Sequence, residues 1–279
     1  MSLRGTPGAT YDFAQYNEEI LGNQSIITWT PRPDSEIQPT ALEKFQKRFD
    51  VYAYKGSPYH KKTQDAMGRH LRSLGVEAIY IHEVFDDARW TIPGVSKLVH
   101  ATFPWCPVNG DRFAYTSEWL ARPSGQSHVP LMIDIDSTEA DLRDELNIPR
   151  EATVIGRHGG FTTFDIPFVH QVVKRVTEGR PDLYFVFLNT EPFCEPHPRI
   201  IHLPGTADAK RKTQFINTCD AMLHARELGE TFGLAVGEFS VRNKPVLTWS
   251  ESKQKAHLEY LGHKGLLYRD EWELERLLT

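Results

Sequence analysis

Segments with helix and strand periodicity alternate along the 279-residue chain, and this alternation restricts its fold more than any other feature. Apolar, β-branched runs such as VEAIYIH (76–82), SKLVHATF (96–103) and LYFVFLN (183–189) are separated by amphipathic runs such as TQDAMGRHLRSLG (63–75) and FDIPFVHQVVKRVTEG (164–179). Strands that are joined through helices form parallel sheets with right-handed crossovers. The pattern therefore predicts an α/β protein.

A segment rich in proline, glycine and serine, RPSGQSHVP (122–130), interrupts this alternation, which then restarts. We therefore predict two Rossmann-like domains, residues 1–125 and 126–279. The segment ADLRDELNI (140–148) predicts a helix early in the second domain, and ESKQKAHLEYLG (251–262) and DEWELERLLT (270–279) predict two closing helices. The first domain begins almost directly in the loop LRGTPG (3–8), so its usual first strand is predicted to be missing or very short.

Amino-acid composition restricts the cellular location and the binding partners that we predict for the protein. The net charge of −5 gives no general attraction to nucleic acid or anionic lipid, so a phosphate ligand needs a locally built site. No apolar run approaches the ~20 residues that span a bilayer, and the polar start does not resemble a secretory signal. We predict a cytoplasmic protein without a transmembrane segment, while peripheral membrane contact stays open. The cysteines are Cys106, Cys194 and Cys219; their odd number and wide spacing suit a reducing compartment.

Ligands of open parallel sheets bind beyond the carboxyl ends of the strands. The stretch VIGRHGG (154–160) is predicted to be a strand followed by Arg157 and a glycine pair that begins at Gly159. Glycines let backbone N–H groups approach a phosphate, and arginine can hold one with two hydrogen bonds. The alternative is an ordinary turn with a surface arginine. The stretch is not G-x-G-x-x-G, so no dinucleotide cofactor is predicted.

The stretch GETFGLAVGE (229–238) is a more specific signal of a ligand site than VIGRHGG. Gly233 near a helix start leaves amide donors for an anion, and the helix dipole adds partial positive charge. Glu238 follows Leu234 by four residues and so lies on the same helix face, where it can accept hydrogen bonds from vicinal hydroxyls. Glu230 stands before the helix and can reach a group beyond the phosphate. The spacing suits a nucleoside diphosphate that carries a sugar; in the alternative, Glu230 only caps the helix and Glu238 is solvated.

These residues carry a resemblance to a known family. GETFGLAVGEFSVRNKPVLT (229–248) resembles the E-x7-E segment of retaining GT-B glycosyltransferases. LRDELNIPREATVIGR (142–157) is similar to the segment that leads into their G-R loop, and AYTSEWLA (114–121) to the one before their linker. The order and spacing match over nearly the whole chain and point to the family-4-like group, formerly called group 1. The residues that agree in the E-x7-E segment are Glu230, Phe232, Gly233, Leu234, Glu238, Pro245 and Val246.

The resemblance implies the GT-B fold, in which two Rossmann-like domains with parallel sheets face an interdomain cleft. It implies metal-independent transfer of a sugar from a nucleotide-diphosphate donor, linked to UDP or GDP, with retention of anomeric configuration. The acceptor is unknown: a glycan, a lipid-linked glycan and a protein all stay open. No cofactor, metal or nucleic acid is predicted.

Individual roles also follow from the resemblance. It implies that Arg157 contacts the diphosphate and that Glu238 binds the ribose hydroxyls. It implies that Glu230 contacts the donor sugar and that His100, at the end of an N-terminal strand, lies against the transferred sugar. The remaining implied donor contacts are the amides of Phe232, Gly233 and Leu234 and the closing loop of Gly5 and Thr6.

The chain departs from the family where a lysine usually follows the arginine by five or six residues, because Thr162 and Thr163 stand there. Arg4 or the basic run 210–212 could supply the charge. A nucleotide-sugar-binding module without activity and a GT-B nucleotide-sugar epimerase are therefore kept as alternatives. Asp86 and Asp87 could ligate a cation, but a solvated loop is the preferred prediction for this segment. Isolated histidines, His257 among them, are predicted to be surface groups.

Overall fold

A computed structural model of the chain describes residues 5–29, 39–56, 60–82 and 91–279. Arg4, Asp86 and Asp87, which the sequence brought into consideration, lie outside these residues. Internal contacts divide the chain into two compact units, Met1–Met132 and Ile133–Thr279. The boundary between the units lies two residues after the end of the RPSGQSHVP segment.

The first unit contains two small parallel sheets. Strands β1 and β2 pair in one of them, and β3, β4 and β5 pair in the other. Helix α1 begins at Gly5, so Gly5 and Thr6 lie in its first turn, and the prediction that they belong to a loop is wrong. The elements are α1 (Gly5–Glu19), β1 (Ile26–Trp29), α2 (Pro39–Gln46), β2 (Asp50–Ala53), α3 (Lys61–Ser73), β3 (Ala78–His82), β4 (Ser96–Ala101), β5 (Arg112–Tyr115) and α4 (Glu118–Ala121).

The second unit is built on a six-stranded parallel sheet in the order β8-β7-β6-β9-β11-β13. Its elements are β6 (Thr153–His158), α5 (Pro167–Gly179), β7 (Leu183–Leu188), β8 (Ile200–Leu203), α6 (Ala209–Thr218), β9 (Ala221–His224), β10 (Gly229–Glu230), α7 (Leu234–Val241), β11 (Val246–Trp249), β12 (Gln254–Lys255), α8 (Ala256–Leu261), β13 (Leu266–Tyr268) and α9 (Glu271–Leu278). In chain order the strands run 3-2-1-4-5-6, the order of a doubly wound nucleotide-binding sheet. The order reverses between β6 and β9, so their carboxyl ends mark the expected ligand site.

Helices cover both faces of this sheet. Alternate residues of a strand point to opposite faces, and in β7 Phe185 and Phe187 join one apolar cluster while Val186 and Leu188 join the other. The first cluster contains side chains of α5 and α9, and the second contains side chains of α6 and α7. Burial on both faces explains why β7 is apolar throughout instead of alternating.

The helix predicted over residues 140–148 is wrong, because residues 142–147 form turns. A single helical turn closes where the Leu146 amide donates to the Leu142 carbonyl oxygen. Asn147 then adopts φ 54°, and the Ile148 amide donates back to the Arg143 carbonyl oxygen. This is the hydrogen bond of a helix C-terminus, so the segment ends before a helix can propagate.

The structure differs from the sequence-based expectation at two further places near the C-terminus. The helix predicted over 251–262 is divided, since Gln254–Lys255 form β12 and only Ala256–Leu261 are helical. Strand β13 was not predicted at all. It is three residues long, too short for a periodicity to show. None of the helices within the described ranges is both long enough and apolar enough to cross a membrane.

Replacing Arg143 with methionine is expected to destabilise the second unit by about 2 kcal/mol, because buried carbonyl groups lose their donor. One guanidinium nitrogen of Arg143 donates to Ala152 O at 2.7 Å, and the other donates to Asp220 Oδ2 at 2.9 Å. Arg150→Met is the matched control, with an expected change of about 0.5 kcal/mol or less, since its ion pair with Asp141 is solvent-exposed. Urea unfolding of both variants measures the difference; equal losses would contradict this account.

Candidate functional site

Donor-binding residues predicted from the sequence come together at the switch point of the second unit. Arg157 and His158 are the last two residues of β6, so Arg157 lies within the strand rather than after it as predicted. His158 Nε2 lies 2.9 Å from Glu238 Oε2 on α7. A Cβ atom on Gly233 would lie 3.3 Å from Glu230 Cβ. Strand β6, strand β10 and helix α7 thus contribute to one site.

The start of α7 depends on Gly233. This residue has φ 97°, a conformation that a side chain disfavours, and it is followed by Leu234 as the first helical residue. Its carbonyl oxygen accepts from the Tyr260 hydroxyl at 2.7 Å and from the Gly237 amide at 3.0 Å. The amides before Gly237 have no acceptor inside a helix, so they present donors and partial positive charge to an anion. Phe232, half-buried, lies 5.8 Å from the Tyr260 ring centroid.

Glu238 is buried at 7% exposure, which contradicts the alternative of a solvated side chain. Its Oε1 accepts a hydrogen bond from Lys212 Nζ. Burial would raise the pKa of Glu238, but His158 and Lys212 outweigh it and lower the pKa to about 2. Glu238 Oε2 lies at ion-pair distance from His158 Nε2, 2.9 Å, but the angles do not form a hydrogen bond, and the described residues offer Oε2 no other donor. A buried carboxylate oxygen without a donor is a position where a ligand hydroxyl can bind.

The lowered pKa of Glu238 predicts a pH effect on stability. The folded value of about 2 lies below the ordinary value of 4.5, so this carboxylate stabilises the fold above pH 4.5 and loses that contribution as the pH falls toward 2. The difference in unfolding free energy between the wild type and Glu238→Gln should therefore shift against the wild type between pH 7 and pH 3. Urea titrations at several pH values measure it. A difference that stays constant over this range would contradict the ion-pair assignment.

Arg157 is buried and organises the loop that follows β6. One terminal nitrogen donates to Thr190 Oγ1 at 2.6 Å, and the other donates to Thr163 Oγ1 at 2.6 Å and to Gly160 O at 3.0 Å. Burial is the main reason why the pKa of Arg157 falls to about 10. Asn189 Nδ2 donates to Gly159 O at 2.7 Å and so fixes the same loop. Direct contact of Arg157 and Gly159 with a diphosphate stays a prediction.

Glu230 is half-buried and sits in a charged network. Arg226 donates to its Oε2 at 3.0 Å, and His224 Nε2 lies 3.4 Å from its Oε1. Burial opposes ionisation, but His224 and Arg226 lower the pKa of Glu230 to about 2. His224 Nδ1 and His257 Nε2 both contact Thr248 Oγ1, at 2.9 and 3.2 Å. Glu230 is therefore an oriented carboxylate.

Sequence reasoning missed three histidines of this site. His257 is fully buried, so its prediction as a surface group is wrong. His224 ends β9, and the strand-end rule that singled out His100 also applies to it. His158 follows Arg157 in the stretch VIGRHGG (154–160), but nothing in the local sequence indicates that it reaches Glu238. Burial is the main reason why the pKa of His257 is lowered to about 3.

His100 lies in the first unit, at the carboxyl end of β4, next to His82 at the end of β3. Its Nε2 lies 2.7 Å from Val129 O, which can only accept, so Nε2 carries the proton. The Tyr80 hydroxyl then donates to Nδ1 at 2.5 Å. Burial is the main reason why the pKa of His100 is lowered. Both nitrogens are used within this unit, and the predicted contact with a sugar stays untested.

The site carries carboxylates and histidines, which are residue types that can bind metal ions. In the parts of the chain that the structure describes, no group of three or more His, Cys, Asp or Glu side chains could hold a metal ion. The carboxylates of the site, Glu230 and Glu238, are instead paired with cationic side chains. Their chemistry is that of anchored hydrogen-bond acceptors.

Comparisons with solved structures identify the fold. A glycosyltransferase from Rickettsia africae ESF-5 aligns over 98% of this chain and 83% of its own, with a TM-score of 0.69 and 12% identity. Anabaena Alr3699/HepE, solved in complex with UDP-glucose, aligns over 99% and 85%, with a TM-score of 0.70 and 13% identity. A putative UDP-N-acetylglucosamine 2-epimerase from Listeria monocytogenes aligns over 99% and 85%, with a TM-score of 0.59 and 12% identity.

The chain therefore has the GT-B fold of glycosyltransferases, and the fold class predicted from its sequence is confirmed. No protein-family model and no curated protein matches the sequence. At identities of 12–13% the similarity establishes the fold, while the reaction has to be argued from the site.

Proposed function

We propose that this protein is a retaining glycosyltransferase of the family-4-like group that uses a UDP- or GDP-linked sugar as donor. The observation that carries the proposal is Glu238, a buried carboxylate about one turn into α7, the helix that starts after Gly233; its Oε2 has an ion-pair contact with His158 but no hydrogen bond. This arrangement lies at the switch point of a doubly wound sheet. A carboxylate for ribose hydroxyls beside amides for phosphates matches the polarity of a nucleoside diphosphate.

The proposed mechanism assigns a task to each group. Glu238 accepts hydrogen bonds from the ribose, and the amides of Phe232, Gly233 and Leu234 donate to the distal phosphate. As the glycosidic bond breaks, negative charge grows on the leaving diphosphate, and these donors and Arg157 stabilise it without having to reorganise. Glu230 orients the donor sugar. On the front-face route a leaving phosphate oxygen takes the proton of the acceptor hydroxyl, so the reaction needs neither a separate base nor a metal.

Two measurements test the proposal. Calorimetry with UDP, GDP and ADP on the wild-type protein is expected to show saturable binding of UDP or GDP, because the site offers contacts to both ribose and diphosphate. The absence of binding for all three at millimolar concentration would contradict it. Release of labelled sugar from the matching nucleotide sugar, with and without oligosaccharide acceptors, then measures turnover. Chelation of divalent metals by EDTA should leave turnover unchanged. We also expect the reaction to take place in the cytoplasm.

Glu230→Gln is expected to reduce sugar transfer at least tenfold while nucleotide binding changes less than twofold, because this carboxylate contacts the sugar and not the nucleoside. Glu275→Gln, which loses a solvent-exposed ion pair between Glu275 on α9 and Arg175 on α5, is the matched control. Parallel loss of binding and transfer in Glu230→Gln would contradict the division of roles between the two glutamates.

A binding module without transferase activity is the second candidate, and a specific observation favours it. Both terminal nitrogens of Arg157 donate to protein groups, and Thr163, one of the residues in place of the family lysine, is among the acceptors. Nucleotide-sugar binding without turnover in any acceptor screen would support this candidate. The epimerase alternative keeps the similarity to the Listeria structure as its support; NMR of a UDP-sugar incubated without acceptor would show a changed sugar configuration.

A further inference from the structure

A diphosphate brings at least two negative charges into the site, and the cations described there are largely committed elsewhere. Arg157 donates from both terminal nitrogens to protein oxygens, and Arg226 is paired with Glu230. Helix amides contribute only partial charge. A tightly held diphosphate therefore calls for a further full positive charge with unused donors.

Lys212 is positioned to supply this charge. It lies in the first turn of α6, and the Asp208 side chain caps this helix by accepting from the Lys210 and Arg211 amides. The side chains of the three consecutive basic residues lie in different environments. Lys210 is exposed, Arg211 pairs with Glu145, and Lys212 reaches Glu238. The capped turn thus directs one lysine of the run toward the buried carboxylate.

The ammonium group of Lys212 has donors to spare. A lysine ammonium carries three N–H donors, and Glu238 Oε1 accepts one of them. The Lys212 side chain is 27% exposed, so a ligand can approach it. Glu238 Oε2 has an ion-pair contact with His158 but no hydrogen bond, so it can accept from a ribose hydroxyl at the same time. One nucleotide could therefore contact both members of the ion pair without breaking it.

We propose that Lys212 bridges Glu238 and the nucleotide's phosphate group, with one N–H on the carboxylate and a second on a phosphate oxygen next to the ribose. This inference rests on the proposed function and adds a residue to the donor site. Lys212 takes over the charge that Thr162 and Thr163 do not provide. If Lys212 makes this contact, the tighter binding of a nucleotide relative to its nucleoside depends on a residue of α6.

The test compares the wild type, Lys212→Gln, Lys212→Arg and Lys210→Gln by calorimetry with uridine and UDP, or with guanosine and GDP if the protein prefers guanine. The readout is the ratio of nucleoside Kd to nucleoside-diphosphate Kd, which cancels any general damage to the ribose site. We expect this ratio to fall about tenfold in Lys212→Gln, to stay within about twofold in Lys210→Gln, and to recover at least partly in Lys212→Arg.

Each outcome is informative. An unchanged ratio in Lys212→Gln overturns the role of Lys212, whereas wild-type binding of UDP or GDP in the same experiment still supports the proposed function. An equal fall in Lys210→Gln also overturns it, because only general surface charge would then matter. If Lys212→Gln does not fold, Lys212→Arg decides the question. A folded Lys212→Arg that keeps the wild-type Kd ratio supports the bridging role of Lys212, and a folded Lys212→Arg that has lost this ratio contradicts it. If the wild type binds neither diphosphate, both proposals fail.

Discussion

Replacing Glu238 with glutamine is expected to weaken binding of UDP or GDP roughly one hundred-fold, or ~3 kcal/mol. The carboxylate accepts charge-assisted hydrogen bonds from ribose hydroxyls, each worth about 1.5–3 kcal/mol. Its loss also leaves Lys212 and His158 without their anionic partner. The amide of glutamine keeps the size of the side chain but offers one acceptor oxygen and no charge.

Calorimetry on the wild type, Glu238→Gln and Glu275→Gln measures this effect. Glu275→Gln should bind like the wild type, because Glu275 lies on α9 and pairs with Arg175 of α5. A ligand-side control uses the 2′-deoxy analogue of the bound nucleotide, which should bind the wild type at least about tenfold more weakly. The ribose assignment is wrong if the deoxy analogue binds as well as the ribonucleotide, or if Glu238→Gln keeps wild-type affinity.

Gly229→Ala is expected to destabilise the second unit by about 4 kcal/mol. Gly229 has φ 73°, and a Cβ atom there would lie 2.0 Å from the Gln254 carbonyl oxygen and 2.8 Å from Ser252 Cβ. The residue also pairs with Gln254 in the short ladder of β10 and β12, so the partner strand cannot move away without losing it. Because Glu230 follows directly, nucleotide binding should fall with stability.

Gly179→Ala is the matched control for this substitution. Gly179 is the last residue of α5, and a Cβ atom there would have no neighbour within 4 Å. Alanine has the higher helix propensity, so this variant should be unchanged or more stable by up to about 0.5 kcal/mol. Urea unfolding followed by tryptophan fluorescence compares the two. A loss of less than 1 kcal/mol for Gly229→Ala would show that the β10–β12 ladder is not rigid.

The sequence predicted most of the strands and helices because periodicity and breakers are local signals. The buried strand β7 and the amphipathic helix α5 are both longer than five residues and bounded by turn residues. The strands of two or three residues, β10, β12 and β13, carry no period, and long-range pairing alone defines them. The segment 140–148 has helical periodicity, but Asn147 and the contacts of Arg143 end it after one turn.

The sequence predicted those parts of the candidate site where a motif specifies both the residue type and the backbone conformation. The E-x7-E spacing located Glu230, Gly233 and Glu238, and the structure places them around the start of α7. Pairings between distant segments were not predictable in the same way. The contact of His158 with Glu238 joins residues 80 positions apart, and that of Lys212 with Glu238 joins residues 26 apart. Which side chains contact each other over such sequence distances depends on how α6 and α7 pack on the sheet.

The most direct test of the central claim is a crystal structure of the wild-type protein with UDP or GDP at saturating concentration. We predict density for the nucleotide beyond the carboxyl ends of β6 and β9, with a ribose hydroxyl within hydrogen-bond distance of Glu238 and the phosphates at the start of α7. A nucleotide bound elsewhere on the chain, or a ribose out of reach of Glu238, would contradict the account.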